Sequence, residues 1–87
     1  MIADLRKIDK IWILKTNEVA VRGIPDIFIC LRGLFIVIEL KSEAGIEPEK
    51  LQTYNLDKIE QAGGIALTAS PETWHLVLMK VAQIAKE

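Results

Sequence analysis

Cysteine is almost absent from this sequence, and long uncharged apolar runs are missing altogether. The single cysteine, Cys30, excludes an internal disulfide and any metal site built from a cysteine cluster. It lies within an apolar run, so we expect it to be a small buried hydrophobe. No stretch approaches the roughly 18 uncharged apolar residues that a membrane-spanning helix needs, and no signal peptide is visible. These absences favour a protein of the reducing cytoplasm.

An excess of positive charge, which is usual in domains that bind nucleic acid, is also missing, because the net charge is −1. The charge is unevenly distributed, however. Residues 1–41 carry seven Lys or Arg against five acids, whereas residues 42–87 carry four against seven. A divalent cation held by carboxylates in the first half would make that half more positive still. The net charge therefore does not exclude a nucleic-acid partner.

Apolar residues, by contrast, are abundant: they make up 51% of the 87 residues. A chain of this length forms one domain, 1–87, and a globule so small cannot bury that fraction fully. The remaining apolar surface predicts self-association, and a two-fold dimer is the commonest form of it. We therefore expect a homodimer.

The hydrophobic pattern predicts seven elements in the order α-β-β-β-α-β-α. The two central strands, 24–31 and 34–40, are separated by Arg32-Gly33, a plausible two-residue hairpin turn. The final helix has an apolar stripe at helical spacing. The fold class is α/β, with a mixed four-stranded sheet flanked by helices. The other elements are a weak helix at 2–10, strands at 11–15 and 65–69, and helices at 48–62 and 71–86.

The hairpin predicts a pair of carboxylates. If the turn has two residues, Leu31 pairs with Leu34, and the residue numbers of every pair along the hairpin add up to 65. Asp26 then lies opposite Glu39 on one sheet face, with Cβ atoms about 4.5–5.5 Å apart. Two such charges repel each other, and a divalent cation would offset that cost because carboxylate oxygens are ligands that Mg²⁺ prefers. The alternative is equally open on periodicity alone: both residues are solvated strand ends.

Two further residues are candidates for the same site. Lys41 follows Glu39 by two positions and shares its face, so it adds a cation that could stabilise charge on a phosphate. Gln52 shares a helix face with Leu56 and Ile59 near the helix start, where it either supports the site or reaches solvent. Lys15, Arg22 and Arg32 are weaker candidates for contacts with a phosphate backbone.

Taken in order, several of these residues resemble the VRR-NUC family of the PD-(D/E)-x-K nuclease superfamily. The resemblance covers roughly residues 11–70. Its motifs are Gly23-Ile24-Pro25-Asp26, Gly33, Glu39-Leu40-Lys41, Gln52 and Ala62-Gly63-Gly64. The family is known from phage proteins and as a domain of larger repair nucleases, which would put this chain in a bacterial or phage-infected cell.

The resemblance implies a restriction-endonuclease-like αβββαβ core and a structure-specific endonuclease, dimeric and active on branched DNA such as Holliday junctions. It implies that Asp26, Glu39 and the Leu40 carbonyl bind Mg²⁺ or Mn²⁺, that Lys41 orients or activates the attacking water, and that Gln52 supports the site. The family usually has a further glutamate early in its first helix. Here the only acids in that region are Asp4 and Asp9, and neither matches.

Two other functional classes stay open at this point. One is a catalytically silent DNA-binding or scaffolding module that retains the nuclease fold, which the missing glutamate and the near-neutral charge favour. The other is a purely structural dimerisation domain, which only the apolar content favours. Neither of them requires Asp26 and Glu39 to bind a cation.

Overall fold

The computed structural model describes residues 2–16, 23–42 and 50–87. These ranges contain a four-stranded mixed sheet in the order β1-β2-β3-β4, in which β1–β2 and β2–β3 are antiparallel and β3–β4 is parallel. The predicted α/β class and the order of elements are confirmed. The elements are α1 (Ile2–Leu5), β1 (Ile11–Lys15), β2 (Ile27–Leu31), β3 (Leu34–Leu40), α2 (Lys50–Gln61), β4 (Ile65–Ala69) and α3 (Trp74–Lys86).

The turn between β2 and β3 has the two residues that the sequence predicts. Arg32 and Gly33 both have positive φ, 55° and 80°, which matches the turn type that joins twisted antiparallel strands with two residues. Leu31 pairs with Leu34 and Ile27 with Ile38, so paired positions sum to 65 as predicted. The hairpin register, and with it the face on which each side chain lies, is confirmed from Ile27 to Ile38.

One face of the sheet forms the hydrophobic core. It takes alternate residues of β2 and β3, which are fully buried against α3 and the short α1. The apolar stripe predicted for α3 is confirmed: Leu78 packs against the core, and the other four residues of the stripe are buried, namely Trp74, Val77, Val81 and Ile84. The core residues are Leu5, Ile27, Ile29, Leu31, Ile36, Ile38, Ala69, Trp74, Val77, Val81 and Ile84.

The opposite face is only half covered. α2 packs on β4, and Gly64 at the start of that strand lies against Ile59 of α2 and the backbone of Phe35. The β1 side of this face and the part nearest the hairpin turn stay open, with Trp12 57% and Phe35 43% exposed. Cys30 pairs with both of them and is exposed. The prediction that Cys30 is buried is therefore wrong: its apolar neighbours in the sequence lie on the other face.

Three element boundaries differ from the prediction. β2 begins at Ile27 rather than residue 24, because Pro25 has no amide to donate and the backbone bends at Asp26. α1 ends at Leu5. α3 begins at Trp74, after a turn in which the Ser70 amide donates to Thr73 Oγ1 at 2.9 Å. The predicted helix start at 48–49 lies outside the described residues.

No helix within the described residues has the length and apolar character needed to cross a bilayer.

At Gly64 the backbone that leads into β4 lies close to α2. A Cβ at this position would lie 2.6 Å from Ile59 Cγ2 and 3.1–3.2 Å from two backbone oxygens. We expect Gly64→Ala to lower the free energy of unfolding by about 1–3 kcal/mol, since backbone atoms cannot move aside as a side chain can. Urea denaturation measures it. The matched control is Ala62→Gly, at an exposed position of the same segment, which should cost less; equal effects would contradict the steric explanation.

Candidate functional site

The candidate site lies at the end of the β2–β3 hairpin opposite its turn. Here Thr16 holds the backbone of the Pro25-Asp26 segment with two bonds: its Oγ1 donates to the Pro25 carbonyl at 2.6 Å, and its amide donates to the Asp26 carbonyl at 2.8 Å. The Asp26 amide donates in the other direction, to the Ile38 carbonyl at 3.1 Å. Asp26 is therefore fixed between β1 and β3.

Asp26 is not the ladder partner of Glu39, which corrects the predicted direct opposition. The ladder ends at Ile27–Ile38, and the Asp26 amide bonds to Ile38 instead of continuing the pairing. The Asp26 carboxylate reaches the next residue along, because Oδ2 accepts a hydrogen bond from the Leu40 amide at 2.7 Å. The carboxylate thus lies beside the Glu39-Leu40 backbone.

Glu39 is buried, with 1% of its surface exposed, in a strand flanked on both sides. Its place in the alternation puts it on the face of Val37 and Phe35, and its ladder partner on β4 is Thr68. Its Oε2 atom has no hydrogen-bond partner among the described residues, while the residue makes other interactions. A buried carboxylate is costly unless positive charge compensates it. Glu39 is one of two buried polar residues in the described ranges, the other being Ser70.

Lys41 and Gln52 are brought together, which is one of the two alternatives that the sequence left open for Gln52. The Lys41 ammonium donates to Gln52 Oε1 at 2.9 Å, which joins the end of β3 to the first turn of α2. The Lys41 amide donates to the Ala69 carbonyl at 2.7 Å, so the backbone of this residue is fixed on β4. Gln52 is half-buried on the α2 face that also carries Leu56 and Ile59.

The Leu40 carbonyl, a predicted metal ligand, lies on the side of Asp26. In an antiparallel ladder the N–H and C=O of one residue point toward the same neighbouring strand. The Leu40 amide points to Asp26, whereas the amide of Lys41 points to β4. The Leu40 carbonyl therefore faces the Asp26 side of β3.

α2 is also tied to the segment before Asp26, by contacts that the sequence does not predict. Asn55 Nδ2 donates to the Gly23 carbonyl at 2.7 Å. Gly23 has φ 79°, and a Cβ there would overlap the side chain of Leu51, so α2 lies directly against this backbone. The signal available for Asn55 was its position, three residues after Gln52 on the same helix face. Thr16 gave no sequence signal beyond its place after a strand.

The two basic candidates that the structure describes, Lys15 and Arg32, lie at opposite ends of the hairpin. Lys15 is exposed at the end of β1, where it pairs with Ile27, next to Asp26. Arg32 lies at the opposite end of the hairpin, about 20 Å along the chain direction from Asp26, and its Nη1 donates to the Ala85 carbonyl at 3.3 Å. Arg22 lies outside the described residues. Arg32 therefore lies away from Asp26, and its contact with a phosphate backbone stays a prediction.

The donor chemistry fits a hard divalent cation. Mg²⁺ typically uses one or two carboxylates and completes its shell with water and phosphate oxygens. The described residues supply Asp26, Glu39 and the Leu40 carbonyl at one corner, but no cluster of three or more acidic, histidine or cysteine side chains. A site here would have two protein carboxylates, without the third that the resemblance leads one to expect.

Comparison with models of known protein families, with curated proteins and with solved structures gave no match.

The Asn55–Gly23 bond allows a test of how the site is held. Asn55→Asp replaces the amide donor by a carboxylate facing the Gly23 carbonyl, so we expect unfolding to become easier by about 1–3 kcal/mol near neutral pH. Repulsion favours the protonated acid in the folded state, which raises its pKa. The loss should therefore shrink as pH falls through that pKa, because a protonated Asp can donate.

Asn55→Leu is the control, since it removes the donor without adding a titrating group. Its deficit relative to the parent should not depend on pH. Thermal unfolding of the three proteins between pH 4 and 8 measures both effects. A deficit for Asn55→Asp that stays constant with pH would contradict the assigned hydrogen bond.

Proposed function

We propose that this chain is a metal-dependent, structure-specific DNA endonuclease that hydrolyses phosphodiester bonds, with branched DNA such as a Holliday junction as its substrate. One observation carries the proposal: the Lys41–Gln52 hydrogen bond of 2.9 Å, at the same corner as the Asp26 carboxylate on the Leu40 amide. Glu39, which directly precedes Leu40 and is buried, adds support. The restriction-endonuclease-like core and the cytoplasm of a bacterial or phage-infected cell belong to this proposal.

Asp26, Glu39 and the Leu40 carbonyl would hold Mg²⁺ or Mn²⁺. When bound, such a cation supplies Lewis-acid stabilisation of charge on the phosphate and favours ionisation of an attacking water. The Asp26 carboxylate accepts the Leu40 amide, and an ionised carboxylate has about four acceptor positions, so it can serve more than one partner. Burial of Glu39 keeps bulk water from weakening its field.

Lys41 is the residue that would act on the reacting groups from the protein side. Its ammonium has three donors, of which the bond to Gln52 occupies one. The others can orient the attacking water or stabilise a phosphate oxygen as negative charge builds. Gln52 acts through Lys41, as a positioning residue that fixes where the ammonium lies.

A silent DNA-binding module is the alternative that one observation favours. The described residues offer two carboxylates at the corner and no third acidic ligand. If the cation binds too weakly for catalysis, the fold would still present Lys41 and Lys15 to a phosphate backbone. Isothermal titration with Mg²⁺ and Mn²⁺ separates the two proposals, because the silent module does not require a cation.

The decisive experiment compares cleavage of four-way junction, duplex and single-stranded DNA in Mg²⁺, Mn²⁺ or EDTA. We expect the junction to be cut with either metal and nothing to be cut in EDTA. Asp26→Asn should abolish metal binding and reduce cleavage by about 10²–10⁴-fold while leaving the fold intact, since the asparagine Oδ1 can still accept from the Leu40 amide. Asp57→Asn, the same change at an exposed position of α2, is the matched control. Equal cleavage by both variants would refute the assignment.

A second comparison tests the separate roles of Lys41 and Gln52. Lys41→Ala should cost more activity than Gln52→Leu, for which about 10–100-fold is expected of a residue that positions another. Gln52→Glu keeps an acceptor for the ammonium and should restore most of the loss. If Gln52→Leu and Gln52→Glu were equally impaired, the hydrogen bond to Lys41 would not be the reason for the effect.

A further inference from the structure

The outer edge of β1 has its backbone groups arranged symmetrically. The Thr16 amide bonds to the Asp26 carbonyl, and this pair continues the β1–β2 register. In an antiparallel ladder, alternate residues bond across to the partner strand. Trp12 and Leu14 therefore bond to β2, while three residues direct N–H and C=O to the outer edge, where the described part of the chain has no strand. These residues are Ile11, Ile13 and Lys15.

Among the described residues, this edge has no proline, no bulge and no charge at its centre. Proteins protect edge strands with proline, bulges, or charges at the centre of the strand. β1 reads Ile-Trp-Ile-Leu-Lys, with its one charge at the end. On the open face beside the edge, Trp12 is 57% and Leu14 46% exposed. On this face the side chains of Trp12 and Leu14 are exposed, whereas Ile11 and Ile13 pack against the core on the other face.

We infer that β1 pairs antiparallel with β1 of a second copy, centred on Ile13. The three outward residues are symmetric about Ile13, so this is the one register in which all of them form hydrogen bonds, six in total. The same register puts Trp12 next to Leu14 of the second copy, twice. A two-fold axis is the operation that pairs an edge with itself in this way. The occupant that fits the edge is therefore this same chain.

The pairing determines where the two candidate sites lie. A two-fold axis perpendicular to the sheet joins two four-stranded sheets into one of eight strands and keeps equivalent faces on the same side. With strands about 4.8 Å apart and a rise of about 3.4 Å per residue, the two Asp26–Glu39 corners would be about 28 Å apart. Both would be open to one nucleic acid. Stacking of the open faces would instead turn the two sites toward each other, into the interface.

The edge pairing does not rest on the proposed nuclease activity, and its test measures only mass and thiol reactivity. Ile13→Pro removes an outward N–H that makes no bond to β2, so the monomer keeps its own ladder. Ile13→Ala loses the side chain but keeps the N–H. We expect the parent and Ile13→Ala to sediment as dimers at micromolar concentration. Ile13→Pro should dissociate about tenfold or more readily, toward a 9.8 kDa monomer.

Lys15→Pro and Lys15→Ala repeat the comparison at an exposed outward residue. They test whether the outward N–H is needed for the dimer if Ile13→Pro fails to fold or Ile13→Ala is also monomeric. Proline variants that stay as dimeric as their alanine partners would overturn the inference, and so would a parent that is monomeric throughout. The rate at which Cys30 reacts with a maleimide distinguishes the two dimers. For edge pairing, the reaction rate should be the same at protein concentrations above and below the dissociation constant of the dimer. A slower reaction of Cys30 in the dimer would overturn the inference of edge pairing.

Discussion

The two positive-φ residues of the β2–β3 turn set the register on which both the core and the candidate site depend. Because Arg32 and Gly33 close the hairpin with two residues, Leu31 must pair with Leu34, and this pair fixes all the others along the two strands. A slip of one residue would move the isoleucines of β2 from the core to the open face. It would also move Glu39 away from the α2 side. The turn has this effect although it lies at the far end of the hairpin from Asp26.

The α2 side of the sheet changes in polarity from one end to the other. Nearest the turn, Trp12, Cys30 and Phe35 lie side by side, and the apolar row of Phe28 and Val37 comes next. Beyond them come the polar positions, with Glu39 and its ladder partner Thr68. Polar residues at strand ends can be held by local contacts without disturbing the apolar packing. The contacts of Thr16, Gln52 and Asn55 do this here, so the cost of burying Glu39 is confined to one corner.

Sequence periodicity predicted strand bounds and register correctly where a single local feature determines them. The bounds of β1, β3 and β4 result from β-branched runs between turn residues, and the register results from the turn length. Periodicity failed for Cys30 and for the start of β2. Burial of Cys30 depends on how far α2 extends across the sheet, which no local pattern encodes. At Asp26 the chain is held by Thr16 on one side and Ile38 on the other, and such a bend is a tertiary property. Thr16 and Asn55 were missed for the same reason.

The short α2 explains why the same small domain has a candidate site and an open surface. The described helix runs for 12 residues, about 18 Å, with none of them fully buried, and its packing is on β4. Its N-terminal half is used to hold Lys41 and the Gly23 backbone, which fixes the helix above the polar end of β3. A helix held there cannot also cover β1. The exposed Trp12 and Leu14 are therefore a consequence of how the site is built, and a second copy at the β1 edge would cover apolar surface without closing the corner at which Asp26 and Glu39 lie.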